Sequence, residues 1–186
     1  RISLEAFHAL TDGYGCAVFL NTLAAQYLRL SGYPVSCGGM VFDIKELPKP
    51  SELEDSFLKH ATPGASLPRG THDVYHKIGK KMPAHTFHII NGYIPVDKIK
   101  ARAAAYNVTI TEYLVAVLLK LYVDFQKEEK RKQKEVVIQV PVNGRKFFGS
   151  ETLRNMSVCY TVGINPNLGE YTFDEIIKQT SLYLRY

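Results

Sequence analysis

The chain has 186 residues, of which 46% are hydrophobic and 22% are charged, a balance that is ordinary for a folded domain and excludes a disordered one. No apolar run approaches the roughly 18–20 residues that cross a bilayer, so we expect no transmembrane segment. The formal net charge is +5, and much of it lies in residues 127–134. No aromatic residue interleaves with these cations, which indicates a solvated helix end and no nucleic-acid partner.

Three cysteines, Cys16, Cys37 and Cys159, lie far apart and form no Cys-x-x-Cys pair. This pattern argues against a disulfide scaffold and against a zinc site, and it favours a reducing, cytoplasmic compartment. The sequence opens without Met inside a strand pattern and closes inside a helix pattern. We therefore interpret it as an excerpt from the middle of a longer chain.

Alternation of apolar and polar side chains in residues 2–8 predicts a strand that ends at His8. Asp12-Gly13 is a turn signal, and Asp12 is a good N-cap for a helix predicted over residues 14–30, which Ser31-Gly32 would end. Residues 33–84 hold most of the prolines and predict a long crossover segment. Only residues 51–61 favour a short helix there, with Ser51 and Glu54 as a capping box.

The second half of the chain has stronger patterns. A strand is predicted over residues 86–94, a helix over 96–106, strands over 135–142 and 156–164, and a helix over 171–186 that Thr172 and Glu175 would cap. Thr109 and Glu112 form another capping box, which begins a helix over 112–130. The first three turns of that helix are apolar on most sides, so we expect it to be buried. This order of elements predicts an α/β chain with mixed sheets.

His8 and Asp12-Gly13 carry the clearest chemical signal. A neutral imidazole held at the end of a strand can take a proton from an alcohol, amine or thiol as that group attacks a thioester carbonyl. Histidine suits this task because it changes charge near neutral pH. Gly13 would let the chain turn sharply without a clash at Cβ.

The stretch His8-Ala9-Leu10-Thr11-Asp12-Gly13 resembles the His-x-x-x-Asp-Gly signature of the chloramphenicol acetyltransferase-like superfamily. This superfamily includes alcohol acetyltransferases, wax ester synthases and the condensation domains of nonribosomal peptide synthetases. Residues 107–114 resemble the segment that opens a long buried helix in these proteins, and residues 140–145 resemble their strand and turn that end in an arginine. Many members carry two adjacent histidines, whereas here Phe7 stands in the first place.

The resemblance implies a mixed-sheet, two-lobe acyltransferase fold, of which the chain would be an incomplete part. Residues 1–37 would end the first lobe, residues 38–84 would form the crossover, and residues 85–186 would begin the second lobe. It also implies that His8 is the catalytic base and that Arg145 pairs with Asp12, so that Asp12, Gly13 and Arg145 support the active site. Arg145 has an alternative interpretation as a surface residue beside Lys146. Asn155 would lie near the substrate channel, and a turn-forming asparagine is the alternative.

The activity implied is transfer of an acyl group, in the first instance acetyl, from a coenzyme A thioester to a small-molecule alcohol or amine. Acyl-coenzyme A would be a co-substrate, and no cofactor would be bound permanently. The alternatives are a condensation-type domain that uses carrier-protein thioesters and a relative that has lost activity. No Gly-x-Ser-x-Gly is present, which argues against a serine hydrolase. His72 and His76 have metal-ligand spacing, but nearby prolines and glycines disfavour a helix there, so we expect no metal site.

Overall fold

The computed structural model describes residues 3–61, 73–86, 88–129 and 132–185. Helices and strands are both present, as the sequence predicts. In chain order they are α1 (Gly13–Leu30), α2 (Pro50–Leu53), α3 (Ser56–His60), α4 (Val96–Ala105), α5 (Ile110–Glu128), β1 (Val136–Asn143), α6 (Arg145–Phe148), β2 (Ser157–Ile164), a 3-10 turn (Pro166–Leu168) and α7 (Phe173–Arg185). Strands β1 and β2 pair with each other in a two-stranded sheet.

The chain forms two compact units, each built from two separate stretches of sequence. The first unit comprises Arg1–Pro68 and Pro141–Cys159, and the second comprises Arg69–Val140 and Tyr160–Tyr186. These units are defined by compactness, whereas the predicted segments 1–37, 38–84 and 85–186 follow the lobes of the family that the sequence resembles. That division stays a prediction.

Helix α1 of the first unit begins and ends where the sequence predicts. The Asp12 carboxylate caps it by accepting hydrogen bonds from the backbone N–H groups of Tyr14 and Gly15. Ser31 is the C-cap, and Gly32 has a φ of +88°, a backbone conformation that glycine adopts without strain. The predicted helix over residues 14–30 is therefore confirmed.

The interior of the first unit is unusually polar. Among its described residues, three buried apolar side chains stand beside four buried polar or charged ones. The apolar members are Val18, Ala25 and Met156, and the polar members are Asp12, Ser56, Arg145 and Thr152. Because a buried polar group must be hydrogen-bonded to be tolerated, these residues depend on the hydrogen bonds that connect them.

The single helix predicted over residues 51–61 is wrong in its bounds, because α2 and α3 are separated by an extended Glu54 with ψ 150°. The predicted capping box of Ser51 and Glu54 does not form. Glu54 instead accepts from the Ser56 hydroxyl at 2.6 Å and from Lys59 at 3.0 Å. Asp55 caps α3 by accepting from the Leu58 N–H. Asp55 therefore begins a new helix where the sequence pattern predicted one continuous helix.

The second unit contains the main apolar core. Nine buried side chains from α5, α7 and the two strands form it: Val115, Ala116, Leu119, Val123, Val136, Val162, Ile164, Ile176 and Ile177. The predicted capping boxes form at both helices. Thr109 and Glu112 bond reciprocally at the start of α5, and Thr172 and Glu175 do so before α7. Helix α4 matches the predicted helix over 96–106 to within a residue at its end.

Two predicted strands are absent from the described residues. Residues 3–7 form no strand, and neither residue 86 nor residues 88–94 form one. Strand propensity alone does not make a strand, because the backbone N–H and C=O groups need a neighbouring chain as partner. Ile90 is 96% exposed, so its side chain lacks the packing that would fix such a pairing.

The prediction that α5 is buried on most sides is also wrong. Its apolar side chains at Leu114, Val117, Leu118 and Leu121 are 38–43% exposed. Only the face that meets the core is covered. In the last turn of this helix Lys127 pairs with Glu170 at 2.9 Å, and beyond the helix Lys134 pairs with Asp73 at 2.6 Å. These exposed pairs fit the predicted solvated helix end. No helix in the described part of the chain is both long and apolar enough to span a membrane.

Candidate active site

His8 lies in a turn at residues 8–10, not at the end of a strand. The Leu10 N–H donates to the Phe7 carbonyl over 2.9 Å, and the imidazole is exposed. At the end of this turn the Thr11 hydroxyl donates to the Leu153 carbonyl over 2.6 Å. The turn therefore presents the imidazole at the surface of the first unit, and its far end is tied to the segment that precedes β2.

Asp12 follows the turn and is 5% exposed. Its Oδ1 accepts from the backbone N–H groups of Tyr14 at 3.1 Å and Gly15 at 3.2 Å. Its Oδ2 accepts from Arg145 Nη1 at 2.7 Å and from the Met156 N–H at 2.9 Å. Oδ1 therefore caps α1, whereas Oδ2 binds Arg145 and Met156, which lie between β1 and β2.

Arg145 is 6% exposed, so its alternative interpretation as a surface arginine is wrong. Besides the bond to Asp12, its guanidinium donates to the carbonyl oxygens of Thr152 and Arg154, each at 2.7 Å, and to Asn143 Oδ1 at 3.1 Å. The guanidinium also lies over the Tyr14 ring, 4.7 Å from its centroid. The ion pair that the family resemblance implies is confirmed as a contact. Its part in catalysis stays a prediction.

The charge on Asp12 is stabilised despite burial. Burial raises the pKa of Asp12, but the hydrogen bonds from Arg145, Met156 and Gly15, with the positive charge of Arg145, outweigh it and hold the pKa below its usual value. The carboxylate is thus ionised at neutral pH. A buried charge of this kind is tolerable only because its partner and its hydrogen bonds are all in place.

The predicted need for glycine at position 13 is wrong, and the need lies two residues later. A Cβ at Gly13 would meet nothing within 4 Å. A Cβ at Gly15 would instead overlap the Thr11 hydroxyl and the Leu153 carbonyl oxygen. The close approach that only glycine permits is therefore the packing of the first turn of α1 against Leu153. The family signature names position 13, so its steric reason does not apply in this chain.

Asn155 contacts His8 directly. Its side-chain amide donates to the His8 carbonyl over 3.0 Å, and the same nitrogen lies 3.4 Å from His8 Nδ1. Its Oδ1 accepts from the Ser157 N–H at 3.1 Å, so the turn that the sequence offered as an alternative is also present. Asn155 thus serves the local turn with its oxygen and the His8 loop with its nitrogen.

The structure brings the predicted residues together in two neighbouring contacts. Arg145 meets Asp12, and Asn155 meets His8. Met156 joins them, because it follows Asn155 in the chain and donates its own N–H to Asp12. Segment 7–15 is thereby held against segment 143–156. Such an arrangement can present a neutral imidazole as a proton acceptor on a fixed loop.

An apolar groove of about 530 Å³ lies beside the same turn. It is lined by the flanks of the His8 loop, by α1 and by side chains from two other segments. The largest apolar members are Leu4, Phe7, Leu10, Phe19, Phe42 and Leu153. Phe7 and Leu10 are 74% and 69% exposed, so the groove is open to solvent.

Metal-ligand clusters are absent from the described residues, in which no group of three or more His, Cys, Asp or Glu side chains is placed to hold an ion. His72, one of the two histidines with ligand spacing, lies outside those residues. His76 is described and is exposed.

Several residues of the site were not predicted from the sequence. Thr152 is fully buried, and its hydroxyl donates to the Glu54 carbonyl at 2.7 Å while its own carbonyl accepts from Arg145. Asn143 and Thr11 complete the polar contacts. The pattern Asn143-Gly144-Arg145 held a signal for one of them, because an asparagine before a turn commonly bonds the backbone two residues on. Thr152 and Thr11 carried no such signal.

Comparison of the chain with profiles of protein families, with curated proteins and with solved structures found no match.

Proposed function

We propose that this chain provides the catalytic histidine of an acyltransferase, which moves an acyl group from a coenzyme A thioester to an alcohol or an amine. One observation carries the proposal: the loop that bears His8 is held at its end by a buried ion pair and at His8 itself by an exposed hydrogen bond. Asp12 with Arg145 fixes the end of the loop, and Asn155 bonds the His8 carbonyl at 3.0 Å. Catalytic side chains are commonly carried on loops that a rigid scaffold positions, and the His8 loop is of this kind.

The proposed reaction uses His8 as a general base. The neutral imidazole takes the proton of the acceptor O–H or N–H as that atom attacks the thioester carbonyl. The new C–O or C–N bond forms as the C–S bond breaks. The leaving thiolate of coenzyme A then takes the proton from the imidazolium, which restores neutral His8. No oxidant, reductant or further cofactor is needed for this balance.

Asp12 and Arg145 act in this proposal through position only. The carboxylate is fully occupied by four hydrogen bonds, from Tyr14, Gly15, Arg145 and Met156. None of its oxygens points to a reacting group. The pair therefore orients the loop and does not exchange protons with substrate.

The test is a screen of the protein with acyl-coenzyme A donors of increasing chain length and a mixture of alcohols and amines, followed by mass spectrometry of the products. We expect an acylated acceptor and one free coenzyme A for each transfer. His8→Ala should lower the rate of product formation by at least about 100-fold while the protein stays folded. His88→Ala is the matched control, because His88 is also exposed and belongs to the second unit.

Two other outcomes would change the proposal. Transfer from acyl groups on a carrier protein, with none from coenzyme A, would indicate a condensation-type domain. Saturable binding of acyl-coenzyme A without any transfer would indicate a relative that has lost activity.

A further inference from the structure

We propose that Asn91-Gly92 is a site of spontaneous covalent modification, at which the Asn91 side chain loses ammonia and the residue becomes aspartate or isoaspartate. The dipeptide Asn-Gly occurs twice in the sequence, at Asn91-Gly92 and at Asn143-Gly144. The two pairs have the same chemistry but different surroundings in the fold, and this difference assigns the reaction to Asn91. The reaction is independent of the proposed acyl transfer.

The reaction needs only water as a co-reactant. The Gly92 backbone nitrogen gives its proton to solvent and attacks Cγ of Asn91. The new C–N bond closes a cyclic imide as the bond from Cγ to the side-chain nitrogen breaks, and that nitrogen leaves as ammonia with a proton from solvent. Water then opens the ring. Opening at Cγ gives aspartate, whereas opening at the main-chain carbonyl gives isoaspartate, in which the backbone runs through the side chain.

The surroundings of Asn91 leave this reaction unhindered. Asn91 and Gly92 are exposed, and residues 88–94 form neither helix nor strand. In the described part of the chain, neither the Asn91 amide nor the Gly92 N–H makes a hydrogen bond. Glycine has no Cβ to shield its nitrogen, and it permits the backbone rotation that ring closure requires. Atom Cγ and the attacking nitrogen are therefore free to approach each other.

The surroundings of Asn143 oppose the same step. Its Oδ1 accepts from the Arg145 N–H and from Arg145 Nη1, each at 3.1 Å. Gly144 is buried, and its N–H donates to the Met156 carbonyl over 2.9 Å. Attack by the Gly144 nitrogen requires these bonds to break first, so it waits for a local opening of the fold. The same bonds that order the candidate site therefore protect its Asn-Gly pair.

The product changes the segment before α4 and leaves the candidate site intact. Aspartate or isoaspartate at position 91 adds one negative charge a few residues before Val96, where α4 begins. Asn91 belongs to the second unit and Asn143 to the first. The chemical change is thus confined to a segment that holds none of the residues of the candidate site.

The test incubates the whole chain in mildly alkaline buffer, with and without urea, and follows both pairs by mass spectrometry after digestion with trypsin. The cleavage sites place Asn91 in the peptide 82–98 and Asn143 in the peptide 135–145. Modification raises the mass of a peptide by the difference between O and NH. Fragmentation distinguishes aspartate from isoaspartate.

In the folded chain we expect Asn91 to react at least about 10-fold faster than Asn143, because each hydrogen bond that must open lowers the population of the reactive conformer. In urea the two rates should become similar. The rate at Asn91 should rise with pH, since the attacking nitrogen must lose its proton, and both aspartate and isoaspartate should form.

Two variants serve as controls. Asn91→Gln should leave the peptide 82–98 unmodified, because the longer side chain closes a ring less readily. Gly92→Ala should slow the reaction by shielding the nitrogen, and it fits the fold because a Cβ at Gly92 would meet nothing within 4 Å.

Three results would overturn the proposal. The first is an equal rate at Asn91 and Asn143 in the folded chain. The second is an Asn91 that reacts in urea but not in the folded chain. The third is a difference that persists unchanged in urea, since the neighbouring residues in the sequence, and not the fold, would then set the two rates. Formation of aspartate alone would also contradict it, because direct hydrolysis would then bypass the Gly92 nitrogen.

Discussion

Asp12→Asn removes one charge from a buried ion pair and keeps the N-cap of α1, because asparagine caps helices about as well as aspartate does. Asp12 and Arg145 are 5% and 6% exposed, so neither charge has water as a substitute partner. With Asn Oδ1 still accepting from Tyr14 and Gly15, the new amide nitrogen would face Arg145 Nη1 and the Met156 N–H. All three groups are donors, so both bonds of Oδ2 would be lost.

Breaking a buried pair by removing one partner costs roughly 3–5 kcal/mol in the free energy of unfolding. We expect Asp12→Asn to lie near the lower end, because Arg145 keeps its bonds to the carbonyl oxygens of Thr152 and Arg154. For a chain of this size a loss of about 3 kcal/mol lowers Tm by roughly 6–12 °C. Arg145→Ala should cost at least as much, since it removes those two bonds as well.

The decisive measurement is the double-mutant cycle. If the two residues act as one unit, Asp12→Asn with Arg145→Ala should be little less stable than Arg145→Ala, with a coupling free energy of about 2–3 kcal/mol. The chain has no tryptophan, so urea unfolding is followed by circular dichroism. Arg154→Ala is the control, because its ion pair with Asp55 is long, at 3.4 Å, and half-exposed, and should contribute less than about 1 kcal/mol. Additive losses in the double variant would refute the reasoning.

Three further predictions follow from the same geometry. His8→Ala should lower kcat by at least about 100-fold, the scale of a lost general base, and leave Tm nearly unchanged because the ring is exposed; half the parent activity in the variant would contradict this. Gly13→Ala should keep or raise Tm, since alanine favours a helix over glycine by up to about 1 kcal/mol. Gly15→Ala should lower the free energy of unfolding by about 1–3 kcal/mol, because the new Cβ would push the Thr11 hydroxyl and the Leu153 carbonyl away from α1. Melting curves of both variants test this pair of predictions, and equal effects would contradict it. Burial raises the pKa of Glu112, but hydrogen bonds from Arg185, Thr109 and Ser181 outweigh burial and lower the pKa from 4.5 to about 2. The ionised carboxylate therefore stabilises the fold above about pH 4.5, and this stabilisation is lost as the pH falls toward 2. Glu112→Gln should flatten the dependence of the free energy of unfolding on pH in this range, and an unchanged slope would contradict the prediction.

Local signals in the sequence were sufficient for the longer helices α1, α4, α5 and α7. Asp12 at the start of α1, Thr109 with Glu112 and Thr172 with Glu175 each name a helix start, because the capping group and its target lie within three residues. Ser51 and Glu54 show the limit of the same rule. Their spacing matches a capping box, but Asp55 offers a competing cap immediately afterwards, and α3 begins there.

Strands were predicted less well for a physical reason. Residues 2–8 and 86–94 have the alternation or the apolar content of strands, but a strand exists only beside another one, and that partner is not encoded locally. Residues 135–142 and 156–164 were predicted correctly because β1 and β2 pair with each other. The burial of α5 was mispredicted for a similar reason. The face that contains Leu118 is apolar but partly exposed, because apolar character alone does not determine whether another segment packs against it.

In the candidate site, too, some residues could be predicted from the sequence and others could not. His8, Asp12 and Arg145 were named because a resemblance joined positions that are far apart in the chain, and the Asp12–Arg145 contact spans 133 residues. Composition and periodicity could not have joined them. Gly13 was named for a steric reason that belongs to Gly15, since only the structure shows which Cβ would meet the Leu153 carbonyl.

The chemistry of the Asp12–Arg145 pair argues for geometry and against stability as its main contribution. An apolar pair of similar volume is often as stable as a buried ion pair, because both charges must first be taken out of water. No apolar pair, however, could cap α1, accept the Met156 N–H and donate to the carbonyl oxygens of Thr152 and Arg154 at the same time. These bonds fix the register of segment 7–15 against segment 143–156 to a single arrangement. In that arrangement Asn155, next to Met156, reaches the His8 carbonyl. A chain that needed only a stable fold could dispense with the pair, whereas the proposed function needs the fixed geometry that the pair gives to the exposed His8 turn.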